Sequence, residues 1–163
     1  MEPTEITAGR LHLRPWAEWD APALQALLDD PEVGRWTPYP YPVPPGLAAE
    51  RIAGDAEAWT AGTRAELAVL DATTAELLGA VGLYRPMATS AEVGWLTGSA
   101  ARGRGVATEA VGALCRWAFG ALGMTELEAQ VLVGNDASRR VAEKCGFALA
   151  AEADGCWRFT LRP

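Results

Sequence analysis

Residues 92 to 133 read as strand, helix, strand, and that triplet restricts the fold more than any other part of the chain. In "SAEVGWLTG", Glu92, Gly94 and Leu96 share one face, and Val93, Trp95 and Thr97 share the other. Next, Ala107, Ala110, Val111, Leu114, Ala118, Ala121 and Leu122 fall on one helical stripe, and Gly123 suits its stop. "ELEAQVLV" alternates again, with Leu127, Ala129, Val131 and Val133 inward. A helix between two such strands is a crossover, so the strands it joins run parallel.

Everything around the crossover reads as antiparallel. "AELAVLD" and "LLGAVGLY" are apolar runs joined by the turn-like "ATTAE", a hairpin pattern. "FALAAE" and "CWRFTLR" close the chain as two strands around Asp154-Gly155. "ITAGRLHLRPW" supplies one first strand, with Leu11 and Leu13 opposite Arg10, His12 and Arg14. Asp20 is placed to cap a helix bearing Ala21, Leu24, Leu27 and Leu28, which breaks at Asp30-Pro31. Leu47 to Trp59 reads as a helix with Ala48, Ile52, Ala56 and Trp59 along one side, and Asn135 caps a last helix ending at Gly146. The expectation is a single α+β domain over residues 1–163. Its sheet is mixed and mostly antiparallel, about seven strands flanked by about four helices.

Composition removes several kinds of function. Lys and Arg number 14 against 21 Asp and Glu, for a net charge of -7, which argues against nucleic-acid binding. No apolar run approaches the ~20 residues of a membrane helix. Residues Met1 to Glu5 lack the basic start and apolar core of a signal peptide. Cys115, Cys145 and Cys156 are odd in number and lack metal-ligand spacing, so a reducing cytoplasm is expected and no metal is. The single histidine, His12, is either a catalytic base or a strand residue facing away from its leucines, and no activating partner lies nearby in sequence.

"RWTPYPYPVPPG", residues 35 to 46, is excluded from helix interiors and central strands by its prolines. Trp36, Tyr39 and Tyr41 are therefore held on an extended connector. They either fold onto the core or form one wall of a substrate cleft.

"ARGRGVATEA" stands where the strand meets the long helix. A helix start presents unpaired N–H groups and partial positive charge. Gly103 and Gly105 clear side chains from the backbone, and Arg102 and Arg104 add forked donors. That combination suits a phosphate cradle, although glycine and arginine also mark ordinary strand–helix turns. The Lys-Ser/Thr of a P-loop and the three-glycine dinucleotide pattern are both missing. The expected ligand is a diphosphate held as a handle.

This stretch resembles the phosphate-binding pattern of the GNAT superfamily of N-acetyltransferases, matched by Arg102, Gly105 and Ala107. "AEVGWL" resembles that family's fourth strand. "NDASRRVAEKCGF", residues 135 to 147, resembles the Rim-type ribosomal-protein N-terminal acetyltransferases through Asn135, Ser138, Glu143, Lys144, Gly146 and Phe147. The resemblance implies acetyl-coenzyme A as donor and a sheet whose fourth and fifth strands splay to admit it. It implies a pyrophosphate cradle over Arg102, Gly103, Arg104, Gly105, Val106, Ala107 and Thr108. The pantetheine arm would run along Trp95, Leu96 and Thr97, with Asn135 beyond it. Asn135 also reads as a simple N-cap.

Direct acetyl transfer needs a base for the amine, a hydrogen bond to the carbonyl oxygen and support for the departing thiolate. By resemblance Glu92 is the base and Ser138 the acid, with a backbone N–H near Trp95 and Leu96 for the oxygen. Each also has a plain reading, as an ion pair for Glu92 and a first-turn hydroxyl for Ser138. Many members carry a tyrosine acid where this chain has Ala142, a departure that removes the usual proton donor. Cys145 lacks an activating histidine and reads as a buried thiol. The acceptor is an amine, either a protein N-terminus or a small molecule. Near pH 7.5 about a third of α-amines are neutral, against about one lysine in a thousand. An imperfect acid–base set thus suits an α-amine. Trp36, Tyr39 and Tyr41 would shape the acceptor pocket, in a monomer or homodimer. The alternative is a non-catalytic acyl-coenzyme A-binding module of the same fold.

Overall fold

Apolar residues at alternate positions build one sheet of eight strands. The computed structural model describes residues 1–163. In chain order the strands are β1 (Ile6–Ala8), β2 (Leu11–Pro15), β3 (Arg64–Asp71), β4 (Leu77–Tyr84), β5 (Ser90–Thr97), β6 (Glu126–Leu132), β7 (Ala148–Ala153) and β8 (Cys156–Leu161). Across the sheet they lie β1-β2-β3-β4-β5-β6-β8-β7. The helices are α1 (Ala21–Leu28), α2 (Pro31–Trp36), α3 (Leu47–Ala61), α4 (Val106–Gly120) and α5 (Asp136–Lys144). Only β5 and β6 pair in parallel, across α4, as the triplet requires. No helix is long and apolar enough to cross a membrane.

Helices cover both faces of the sheet. On one, Leu13, Leu67, Val81, Val93 and Phe159 pack with Val111, Leu114 and Ala118 of α4. On the other, Ala68 and Ala80 pack beneath Leu24 and Leu28 of α1, Val33 of α2 and Ile52 of α3. Gly79 is required where β4 lies against β5, since a Cβ there would stand 2.3 Å from the Leu96 carbonyl oxygen.

Several local readings change. The first strand is a hairpin, β1 against β2, turned at Gly9 with φ +58°. The break at Asp30-Pro31 is a restart, because proline at the first helical position gives up only an amide that a helix leaves unpaired anyway. Asp30 caps α2 by accepting the Glu32 amide at 2.8 Å, and Arg35 and Trp36 are helical rather than extended. Asp20 does not cap α1. Its carboxylate accepts from Arg14 at 2.7 and 2.9 Å and from the Ala17 amide at 2.9 Å. On α3, Asp55 is buried where Ala56 was expected, because it pairs with Arg64 of β3. Val133 lies past the end of β6 and is exposed.

Candidate active site

The parallel pair holds for one short stretch. Ser90, Ala91 and Glu92 register with Glu126, Leu127 and Glu128, after which β5 runs on to Thr97 and β6 to Leu132 unpaired with each other. The gap is a cleft of about 350 Å³. Trp95, Leu96 and Thr97 line one wall. Asn135, Ser138, Arg140, Val141 and Lys144 line the facing wall. Arg102, Gly103, Gly105, Val106, Ala107 and Thr108 form the end between them, and Glu32, Val33, Trp36 and Thr37 reach it from α2.

That end is shaped for an anion. Gly103 and Gly105 have φ of +71° and +79°, the left-handed region that favours glycine. The amides of Gly103, Arg104, Gly105, Val106, Ala107 and Thr108 donate to no group in the chain. A helix start leaves its own first amides open, and here the open run begins before the helix does. Arg10, at the turn of the β1–β2 hairpin, braces the loop from outside. Its Nη2 donates to Glu109 Oε1 at 2.8 Å and to the Arg104 carbonyl oxygen.

Most residues singled out in the sequence meet in this cleft, and some do not. Arg104, expected in the cradle, is not among the lining residues, and its guanidinium turns to the Ala100 carbonyl at 3.5 Å. The Arg102 guanidinium is already engaged, Nη2 donating to Asp30 at 2.7 Å and Nε to the Thr97 carbonyl at 3.2 Å. Asn135 serves as N-cap, accepting the Ser138 amide at 3.1 Å, and lines the cleft as well. Glu92 is outside the lining, on the last rung where β5 meets β6, ion-paired with Arg85. Trp36 lines the cleft, while Tyr39 packs on the smaller core with Arg51 over its ring, and Tyr41 is 53% exposed. Sequence reasoning missed Arg140 as a lining residue and gave no role to Lys144. Their spacing of four along α5 places both on one face, a pattern legible once the helix was assigned.

The thiols and the histidine stand apart from this chemistry. Burial pushes the Cys115 thiol up to about 12 and also raises Cys145, whose Sγ lies 3.5 Å from the Thr108 carbonyl oxygen. Both are held protonated, unsuited to nucleophilic attack. His12 lies 3.3 Å from Glu5, on the hairpin at the sheet's edge. Ala142 is fully buried.

A polar cluster lies between α3 and the sheet, and nothing in the sequence pattern announced it. Glu66 on β3 is 1% exposed. It accepts from Arg51 of α3, at 2.9 Å for Nε, and from the Tyr84 hydroxyl at 2.6 Å. Burial holds the Tyr84 phenol well above its ordinary value, so it remains a donor. Its ring lies against Gly94 of β5, where a Cβ would come within 2.8 Å of Cε2. Beside them Asp55 Oδ1 accepts from Arg64 Nε at 2.9 Å, and Oδ2 is buried without a partner.

A parallel pair that parts beyond Glu92 leaves a cleft with open amides at the head of the crossover helix. The family model described as Acetyltransferase (GNAT) domain matches residues 10–148, and the chain belongs to that family of N-acetyltransferase enzymes. No curated protein matches the sequence. Among solved structures, an acetyltransferase from Agrobacterium tumefaciens is 28% identical, with a TM-score of 0.83 over 100% of this chain and 96% of that one. RimL, a ribosomal L7/L12 α-N-protein acetyltransferase in complex with coenzyme A, is 18% identical, with a TM-score of 0.87 over 98% of both chains. Ribosomal-protein-S5-alanine acetyltransferase from Vibrio fischeri is 18% identical, with a TM-score of 0.83 over 98% of this chain and 96% of that one.

Proposed function

We propose that the protein transfers the acetyl group of acetyl-coenzyme A directly to a primary amine, with a protein or peptide N-terminal α-amine as the preferred acceptor. The observation that carries this reading is the set of unpartnered amides at Gly103 and from Gly105 to Thr108 that lines the end of the cleft. Open amides at a helix start suit an anion, and a diphosphate supplies several acceptors at once. Lys144 and Arg140 add positive charge from the facing wall. The unpaired edge of β5 at Trp95 to Thr97 suits an extended, amide-bearing arm. When bound, the donor supplies a thioester whose acetyl carbon an amine can attack.

The chain's own residues would then divide the work. A backbone N–H of Trp95 or Leu96 donates to the carbonyl oxygen. Ser138, in the first turn of α5, donates to the departing sulfur. Glu92, where the two strands part and outside the cleft lining, takes the amine's proton through water. Trp36 and Glu32 face the acceptor from α2, the carboxylate drawing a cationic amine towards the cleft. Tyr39 and Tyr41 take part only through the connector that follows α2. RimL is described as an α-N-protein acetyltransferase, which supports an α-amine here. The reading places the enzyme in the cytoplasm, where acetyl-coenzyme A and new protein N-termini meet.

The test is a free-thiol assay with acetyl-coenzyme A and a panel of N-terminal peptides, polyamines, amino acids and lysine-containing peptides. Thiol release that depends on an α-amino peptide supports the reading. Release with small amines alone overturns the acceptor preference, and no release with any of them overturns the transfer.

A further inference from the structure

α2 is six residues long and buries only Val33, yet it bridges the cleft. At its start, Asp30 Oδ2 accepts from Arg102 at 2.7 Å while Oδ1 caps the helix. Near its end, the Trp36 ring carbon Cη2 stands 3.7 Å from where a Cβ on Gly134 would be. Arg102 belongs to the loop leaving β5, and Gly134 to the loop leaving β6. Both lips of one cleft are thus fastened by the same short helix, which lines the space between them.

We propose that Asp30 is a positioning residue that acts through Arg102, tying α2 across the cleft as a strap so that the phosphate loop and the acceptor wall are set as one piece. The proposal rests on the acetyl-transfer reading above. It gives Arg102 a role different from that of a phosphate ligand. Its guanidinium stays with Asp30 and the Thr97 carbonyl, and the grip on the diphosphate comes from the amides. Asp30 is mostly shielded, its side chain 15% exposed, so the pair is less screened than an ordinary surface contact. Its partner at the other end is reinforced too, since Trp36 is held by its indole N–H donating to Glu32 at 3.0 Å and by the Arg35 guanidinium 4.5 Å over the ring.

Hydrogen–deuterium exchange on the full chain tests the strap, comparing wild type with Asp30→Asn, each with and without coenzyme A. Asparagine caps a helix as well as aspartate does, so what is lost is the carboxylate charge and the second oxygen that hold Arg102. Amides 32–37 are expected to exchange about threefold to fivefold faster in the variant, while those of α4 hold their rates. Arg102→Gln should reproduce the change, and the double variant should add nothing to it. With an α-amino peptide acceptor, KM should rise by a similar factor while kcat moves little. Equal exchange in wild type and Asp30→Asn overturns the proposal. So does coenzyme A speeding exchange in wild type to the variant's rate, since Arg102 would then have left Asp30 for the phosphates. If coenzyme A fails to bind wild type, the transfer reading falls, and the two ligand-free proteins still decide the strap.

Discussion

Replacing Glu66 by leucine should cost the fold about 3 kcal/mol. The change leaves Arg51 charged with its ion-pair partner gone and Tyr84 donating to nothing. Removing one member of a buried pair typically costs about 3–5 kcal/mol. Arg51 is 19% exposed and stacks over Tyr39, so it retains some solvation and the lower figure applies. For a chain of 163 residues that loss is a melting temperature lower by about 6–12 °C. Urea and thermal denaturation followed by circular dichroism would read both quantities. Arg51→Met combined with Glu66→Leu should recover most of the loss, because no charge is then stranded, although Tyr84 stays without its acceptor. A single variant within about 1 kcal/mol of wild type, or a double variant no better than the single one, would show that the cluster is not an ion pair the fold depends on.

Three further outcomes are expected. Gly105→Glu should weaken coenzyme A binding about tenfold or more by calorimetry, with Gly105→Ala as the control for strain at a φ of +79°. Unchanged affinity in the glutamate variant removes the cradle. Glu92→Gln should lower kcat on the order of a hundredfold with coenzyme A affinity retained, and full turnover in that variant takes Glu92 out of the mechanism. Asp55 is raised from 3.8 to about 6 by burial and the neighbouring Glu66, so the folded state holds that proton after the unfolded chain releases it. Its contribution is therefore fully present below about pH 4, falls as pH rises to about 6 and is gone above, on the order of 2–3 kcal/mol in all. Asp55→Asn should abolish that slope in urea midpoints measured from pH 4 to 7, and an identical slope in the variant refutes the assignment.

What the sequence could disclose follows from how far apart the interacting residues lie. The crossover was legible because a period of two gives way to 3.6 and back within one segment, residues 92 to 133. Gly103 and Gly105 were legible for a similar reason, since their conformational freedom belongs to their own positions. The β1–β2 turn was hidden because β1 is only three residues long, too short for the change of apolar phase from Ile6 and Ala8 to Leu11 and Leu13 to stand out. Pro31 looked like a stop because proline marks helix starts and ends alike, and only Asp30 before it argues for a start. The Glu66 cluster and the Arg102–Asp30 pair join residues remote in the chain, and no local period reports them. Glu92 shows the same limit, as its strand face was readable and its ion pair with Arg85 and its place behind the cleft lining were not.

Arg10 reaches the glycine loop from the turn of the β1–β2 hairpin, whose outer strand β1 is three residues long and paired on one side only. Margins of this kind fray first when a protein is warmed. If the loop holds coenzyme A as proposed, its grip should therefore slacken at temperatures where the rest of the molecule is still intact, making ligand affinity an early thermometer for that margin.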